Sequence, residues 1–270
     1  METNNWIFAL TLSLCAGLST GLGGFLVLLF RTTNKKFLSV ALGFSAGIMI
    51  YLSFMEILPD AKSHLILSMG EKAGGRITLL AFFTGVLFIA VIDKLIPTLK
   101  NPHEMHMIEE VDECEVSVEA QKLMKTGVLT ALAITIHNFP EGLATFISGI
   151  SQPKLGIAIA IAVAIHNIPE GIAVAIPVYC ATGSRKKAFY YSLLSGAAEP
   201  LGAVLAFLFL APYINATVLG FIFAGIAGIM VYISFDELLP TARLYGEHHL
   251  TIYGLLSGMF AIGICLLLVF

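Results

Sequence analysis

HNFPEGLA, residues 137–144, returns twenty-nine residues later as HNIPEGIA, residues 166–173. Both copies lie inside long apolar runs. On a helix, positions i and i+4 share a face, so His137 projects with Glu141 and His166 with Glu170, with Asn138 and Asn167 beside them. Pro140 and Pro169 cannot donate a backbone hydrogen bond, and their rings crowd the carbonyls of Ile136 and Ile165. The two motifs are therefore expected on kinked, broken helices with freed carbonyls. Gly142 and Gly171 would admit close approach of a neighbour. Broken helices at membrane depth are tolerated where they line a polar cavity.

The rest of the chain fits a membrane setting. Of 270 residues, 57% are hydrophobic and 12% charged, whereas a soluble domain carries about 25% charged residues. The net charge of −3 argues against a nucleic-acid partner. Cys15, Cys114, Cys180 and Cys265 lie far apart with no CxxC pair, so neither a disulfide framework nor a zinc ribbon is implied. The opening METNNWIF lacks the basic n-region and small-residue cleavage site of a signal peptide, and the first apolar run is expected to stay as a helix.

A membrane helix needs about 20 mostly apolar residues. Such runs fall near 6–30, 37–59, 77–97, 126–150, 154–180, 187–211, 213–240 and 250–270, which predicts an all-α protein of eight transmembrane helices in a single polytopic domain. The linkers are short except 98–125. That segment contains His103, His106 and the acidic run EEVDECE without apolar periodicity, and it reads as a flexible cytoplasmic loop. With the N-terminus outside, eleven of fifteen lysines and arginines fall on the cytoplasmic side and four (Lys62, Lys72, Arg76, Lys154) outside, as the positive-inside rule requires. Both termini are thus expected outside.

Internal repeats give the architecture. Residues 45–61, SAGIMIYLSFMEILPDA, match 226–242, IAGIMVYISFDELLPTA, at eleven of seventeen positions, and 16–30 match 195–209 more weakly through Gly17/Gly196, Leu22/Leu201 and Gly23/Gly202. Spans one and two therefore resemble spans six and seven, and the charge count runs them in opposite directions. An inverted 3+2+3 repeat around two central broken helices is the expected fold, a transporter architecture that holds its substrate near the midplane.

A carboxylate in lipid is costly unless paired, and intramembrane acids are functional candidates by default. The span interiors contain no lysine or arginine to neutralise Glu141, Glu170 or Glu199, so the counter-charge has to come from a bound cation. Imidazole with carboxylate suits zinc, iron, manganese and their neighbours. Glu141 and Glu170 could instead be protonated structural residues, a reading that a twofold occurrence of the motif weakens. Glu199, alone in SGAAEPLGA of span six, reads as a third contributor. Glu56 and Glu237 hold matched places in the repeat, each three residues before a proline (Pro59, Pro240), and Asp93, Asp236, His103 and His106 complete a set of candidate pathway or exit residues.

At these residues the chain resembles the ZIP family of divalent metal transporters, especially its bacterial ZupT-type branch. The resemblance covers all eight spans and is most specific at HNFPEG, HNIPEG, the AEPLG segment (Ala198–Gly202) and SFDELLP (residues 234–240). It implies a multi-pass carrier of the plasma membrane with a two-metal centre between spans four and five. In that centre His137, Glu141, His166 and Glu170 would hold one ion. Asn138, Asn167 and Glu199, with the two glutamates bridging, would hold the other. The chain departs from many relatives in having Asp236–Glu237 where they have His–Glu, and Thr98 and Lys100 where several have histidines. The implied activity is uptake of zinc, with iron(II), manganese, cobalt or cadmium as further substrates; a homodimer is compatible with this.

A membrane-embedded metal-dependent hydrolase is the alternative. A zincin needs HExxH, with glutamate directly after the first histidine and a second histidine at i+4. In HNxPE the glutamate itself sits at i+4, no histidine follows on the same helix, and no serine or cysteine nucleophile motif accompanies it. The sequence therefore favours a transporter over an enzyme.

Overall fold

The computed structural model of the chain describes residues 3–29, 35–95, 118–245 and 248–269, and every regular element among them is helical. Helix α1 (Thr3–Leu29) is followed by α2 (Lys35–Leu52), a π-turn (Ser53–Ile57) and α3 (Leu58–Met69), which together make one long rod. After α4 (Glu71–Leu95) come α5 (Val118–Ser151) and α6 (Pro153–Thr182), then α7 (Arg185–Gly196) and α8 (Ala198–Leu205), which continues into a π-turn (Ala206–Leu210). Helix α9 (Ala216–Ile233), a π-turn (Ser234–Leu238) and α10 (Leu239–Tyr245) form a second long rod, and α11 (His248–Val269) closes the chain. Seven helical stretches among the described residues are long and apolar enough to cross a membrane, and α5, which carries the first motif, is 34 residues long.

Several boundaries differ from those expected. The second span runs on to Met69 because Ala61 and Leu65 stay buried while Lys62 and Ser63 face outward; hydropathy stops at the first charges, whereas the helix needs only one apolar stripe. Residues 118–125, expected in the flexible loop, form the first turns of α5. His103 and His106 lie outside the described residues. Nor are the motif helices broken. Both α5 and α6 continue as α-helix through Pro140, Pro169 and Pro177, since one proline removes a single N–H and the flanking turns carry on. The ladder changes register instead just before Pro59 and Pro240. There the N–H groups of Leu58 and Leu239 reach back five residues to the Ser53 and Ser234 carbonyls, which widens the turn that each proline ring would otherwise crowd.

Helix packing falls into two sets. In one, α1 packs against α5, α6, α7 and α8, and α5 against α6 and α8. In the other, α2 packs on α11, α4 on α9, and α3 on both α4 and α9. Contacts between the sets run through α2–α6, α5–α9 and α6–α11.

Small residues set the closest approaches, as expected where lipid supplies no hydrophobic drive between helices. A Cβ on Gly142 (α5) would overlap the Glu199 carbonyl oxygen (α8), and one on Gly202 (α8) would overlap that of Phe139 (α5). The same two contacts recur between α6 and α1, where Gly171 meets the oxygen of Thr20 and Gly23 meets that of Ile168. The second set also repeats itself. Gly47 and Gly258 bring α2 against the backbone of α11, at Leu255 and Phe44, and Gly228 and Gly85 bring α9 against α4, at Phe82 and Gly225. In these contacts Gly85 of α4 meets a backbone oxygen of α9 as Gly258 of α11 meets one of α2.

Candidate metal centre

The two motifs face each other on antiparallel neighbours, because only Gln152 separates α5 from α6. Ion pairing crosses between helices rather than running along them. His166 Nε2 lies 3.2 Å from Glu141 Oε2, and His137 Nε2 lies 2.9 Å from Glu237 Oε1, which arrives from the π-turn after α9. Glu170 stands within electrostatic reach of both histidines, Glu141 and Glu237. All of these side chains are buried, Glu237 being the most exposed at 7%. Asn167 Nδ2 donates to Glu199 Oε1.

The asparagines are placed by backbone oxygens. Asn138 Nδ2 donates to the Ser195 carbonyl at 3.3 Å and Asn167 Nδ2 to the Ala16 carbonyl at 3.0 Å. Ala16 and Ser195 are the first residues of the repeated segments 16–30 and 195–209, so the two asparagines make equivalent bonds. With their amide nitrogens committed, Asn138 Oδ1 and Asn167 Oδ1 remain buried without hydrogen-bond partners, as do Glu141 Oε1, Glu170 Oε2 and Glu199 Oε2. Buried polar atoms are seldom left so, and these five are oxygens of the kind that a divalent cation accepts. As they stand, the groups form pairs; among the described residues no three histidine, cysteine, aspartate or glutamate side chains converge as a closed metal cage.

Among the other sequence candidates, Asp236 accepts a hydrogen bond from Tyr232, with Asp93 and Glu237 near the same hydroxyl. Asp93, Asp236 and Glu237 are thus gathered at one end of α4 and α9. Glu56 lies away from them, beside a separate cavity. The principal residue that sequence reasoning misplaced is Glu237, expected near a span end and found against His137; its one signal was the repeat, which sets a glutamate at the same point of each long rod.

Residues 100–270 match the ZIP zinc transporter family. The chain belongs to that family. It is 57% identical over 260 residues to the zinc transporter ZupT of Streptococcus mutans, covering 96% of this chain and 97% of the relative. Identity to the zinc transporter ZupT of Lysinibacillus sphaericus is 56% over 264 residues, 98% of each chain. To that of Clostridium perfringens it is 52% over 276 residues, 98% of this chain and 97% of the relative. A ZIP chain is a transporter and not an enzyme, which removes the hydrolase alternative, and its apolar helices make it a multi-pass membrane protein.

Proposed function

We propose that this ZIP chain carries zinc across the plasma membrane into the cytoplasm through a two-position metal centre between α5 and α6. The observation that carries the reading is the charge balance of the centre. Glu141, Glu170, Glu199 and Glu237 are each buried, the helix interiors contain no lysine or arginine opposite them, and one oxygen each of Glu141, Glu170 and Glu199 has no hydrogen-bond partner. A divalent ion supplies both the missing charge and the missing contacts. His137, Glu141, His166 and Glu170 would hold one ion. Asn138, Asn167 and Glu199, with Glu141 and Glu170 bridging, would hold a second, harder one. That oxygen-only position supports manganese and, to a lesser degree, iron(II) as further substrates.

The matched glycine contacts support an inverted 3+2+3 repeat. Because α5 and α6 are antiparallel, an operation that lays one on the other reverses direction across the membrane, carrying α1, the α2–α3 rod and α4 onto α7–α8, the α9–α10 rod and α11. Alternating access then comes from movement of the set bearing α5 and α6 against the set bearing α2 and α9. With both termini outside, the ion leaves toward Asp93, Asp236 and Glu237 and the segment bearing His103 and His106.

The test is uptake into liposomes with a zinc-sensitive dye inside. Glu141→Gln and Glu170→Gln should each abolish zinc uptake while the protein remains inserted. Normal uptake by both variants would mean that the glutamates are protonated structural residues.

A further inference from the structure

Away from the centre, Glu56, Asp60 and His64 follow one another at i, i+4 and i+8, on successive turns of one face. Glu56 and Asp60 line a cavity of about 400 Å³ together with Tyr51, Gln152, Leu155 and Leu266. The two oxygens of Asp60 have different surroundings. Oδ1 accepts a hydrogen bond from Gln152 Nε2 at 3.0 Å. Oδ2 lies 3.6 Å from His64 Nε2, and both of these atoms are buried without a hydrogen-bond partner, although the side chains as a whole are 18% and 21% exposed. A gap of 3.6 Å is too long for a hydrogen bond. It is close to the ~3.3 Å that separates two ligands of a tetrahedral zinc bound at about 2.0–2.1 Å.

We propose that Asp60 Oδ2 and His64 Nε2 form a capture site for a divalent zinc-like cation at the outer mouth of the path, with Glu56 one turn deeper as the next acceptor. The proposal rests on the orientation given above, which puts the α3–α4 turn outside. Two protein ligands completed by water make a weak site, and a site on a conduction path must release what it takes up. Gln152 joins the two motif helices, so its bond to Asp60 Oδ1 anchors the mouth to the elements that carry the centre. The cation uses the other oxygen and leaves that bond intact.

The experiment uses the full chain in sealed right-side-out and inside-out vesicles, with zinc alone as probe. Asp60→Asn keeps the oxygen that accepts from Gln152 but removes the charge, and His64→Ala removes the nitrogen. Each should raise the KM for zinc uptake about tenfold with the rate at saturating zinc unchanged, as loss of uniform binding requires. His64→Cys, in a chain with Cys15, Cys114, Cys180 and Cys265 replaced by serine, should react with a membrane-impermeant maleimide from the outer face only; zinc should slow that modification where Asp60 is intact and fail to slow it when Asp60→Asn is added. Unchanged KM in both variants, modification indifferent to zinc, or a lower maximal rate at unchanged KM would each overturn the site. Modification from the inner face alone would overturn the orientation and the site with it. Failure of the central metal reading shows differently, as normal uptake by Glu141→Gln and Glu170→Gln.

Discussion

A carboxylate buried at the centre of a bilayer costs about 3 kcal/mol on insertion scales. Glu141, Glu199 and Glu237 meet that cost with His166, Asn167 and His137, none of which brings a permanent positive charge. The pairing of His137 with Glu237 gives a direct expectation. Glu237→Gln preserves a group that can hydrogen-bond the imidazole but removes the negative charge, so initial zinc uptake should fall about 10–100-fold, the usual effect of losing a partner that orients a metal ligand. Wild-type rates at matched membrane abundance would leave the pair a packing contact. Ligand type would separate the two proposed positions of the centre. Glu199→Ala should depress iron and manganese uptake more than zinc uptake, while His166→Ala should affect zinc most, because imidazole favours zinc and carboxylate or carbonyl oxygen favours the harder ions. Equal fractional losses for all three metals in both variants would make the centre one inseparable site. The residue types of the centre were legible in the sequence because helical spacing puts histidine and glutamate on one face. Their partners were not, since spacing relates residues within a helix, and His137 is matched with a glutamate a hundred residues away.

At the level of elements, the prolines and glycines of the motifs act through backbone approach. Gly142 and Gly171 let α8 and α1 lie against α5 and α6 at the level of Glu199 and Thr20. An added methyl there meets backbone rather than a flexible side chain, and such overpacking costs about 1–3 kcal/mol or more. Gly142→Ala and Gly171→Ala should therefore lower the apparent melting temperature of the detergent-purified protein and reduce zinc uptake. Gly75→Ala is the control, since a methyl on Gly75 meets open space. A melting temperature equally unaffected in all three would contradict the close approach. Proline was expected to break the helices that carry the motifs, and it does not. Inside α5 and α6 the helix absorbs Pro140 and Pro169, whereas Pro59 and Pro240 follow π-turns that carry Glu56 and Glu237. The expected 3+2+3 repeat pairs α4 with α11, but no alignment of the two was legible, because the features they share are few: Thr78 with Thr251, Gly85 with Gly258 and Ile89 with Ile262. In an apolar helix most positions tolerate any aliphatic residue, so only the points of closest approach keep a readable identity.

Across the whole molecule, contacts and charges give independent arguments for the same inversion. The contacts relate α5 to its antiparallel neighbour α6, and with them α1 to the α7–α8 segment, through equivalent bonds from Asn138 to Ser195 and from Asn167 to Ala16. Basic residues would place the α5–α6 turn outside and the α6–α7 turn inside. Lys154 lies just after the first turn and Lys186 just after the second, and both side chains are exposed. Lys154→Cys and Lys186→Cys, each in a chain with Cys15, Cys114, Cys180 and Cys265 replaced by serine, should react with a membrane-impermeant maleimide from opposite faces of sealed vesicles. Lys154→Cys should label from outside and Lys186→Cys only after the inner face is exposed. The reverse pattern would keep the inverted architecture but turn the carrier over, which would place Asp60 and His64 at the cytoplasmic end and Asp93 and Asp236 at the outer one. Labelling of both from one face would contradict α6 as a span, and the inversion depends on α6 crossing the membrane in the opposite direction to α5.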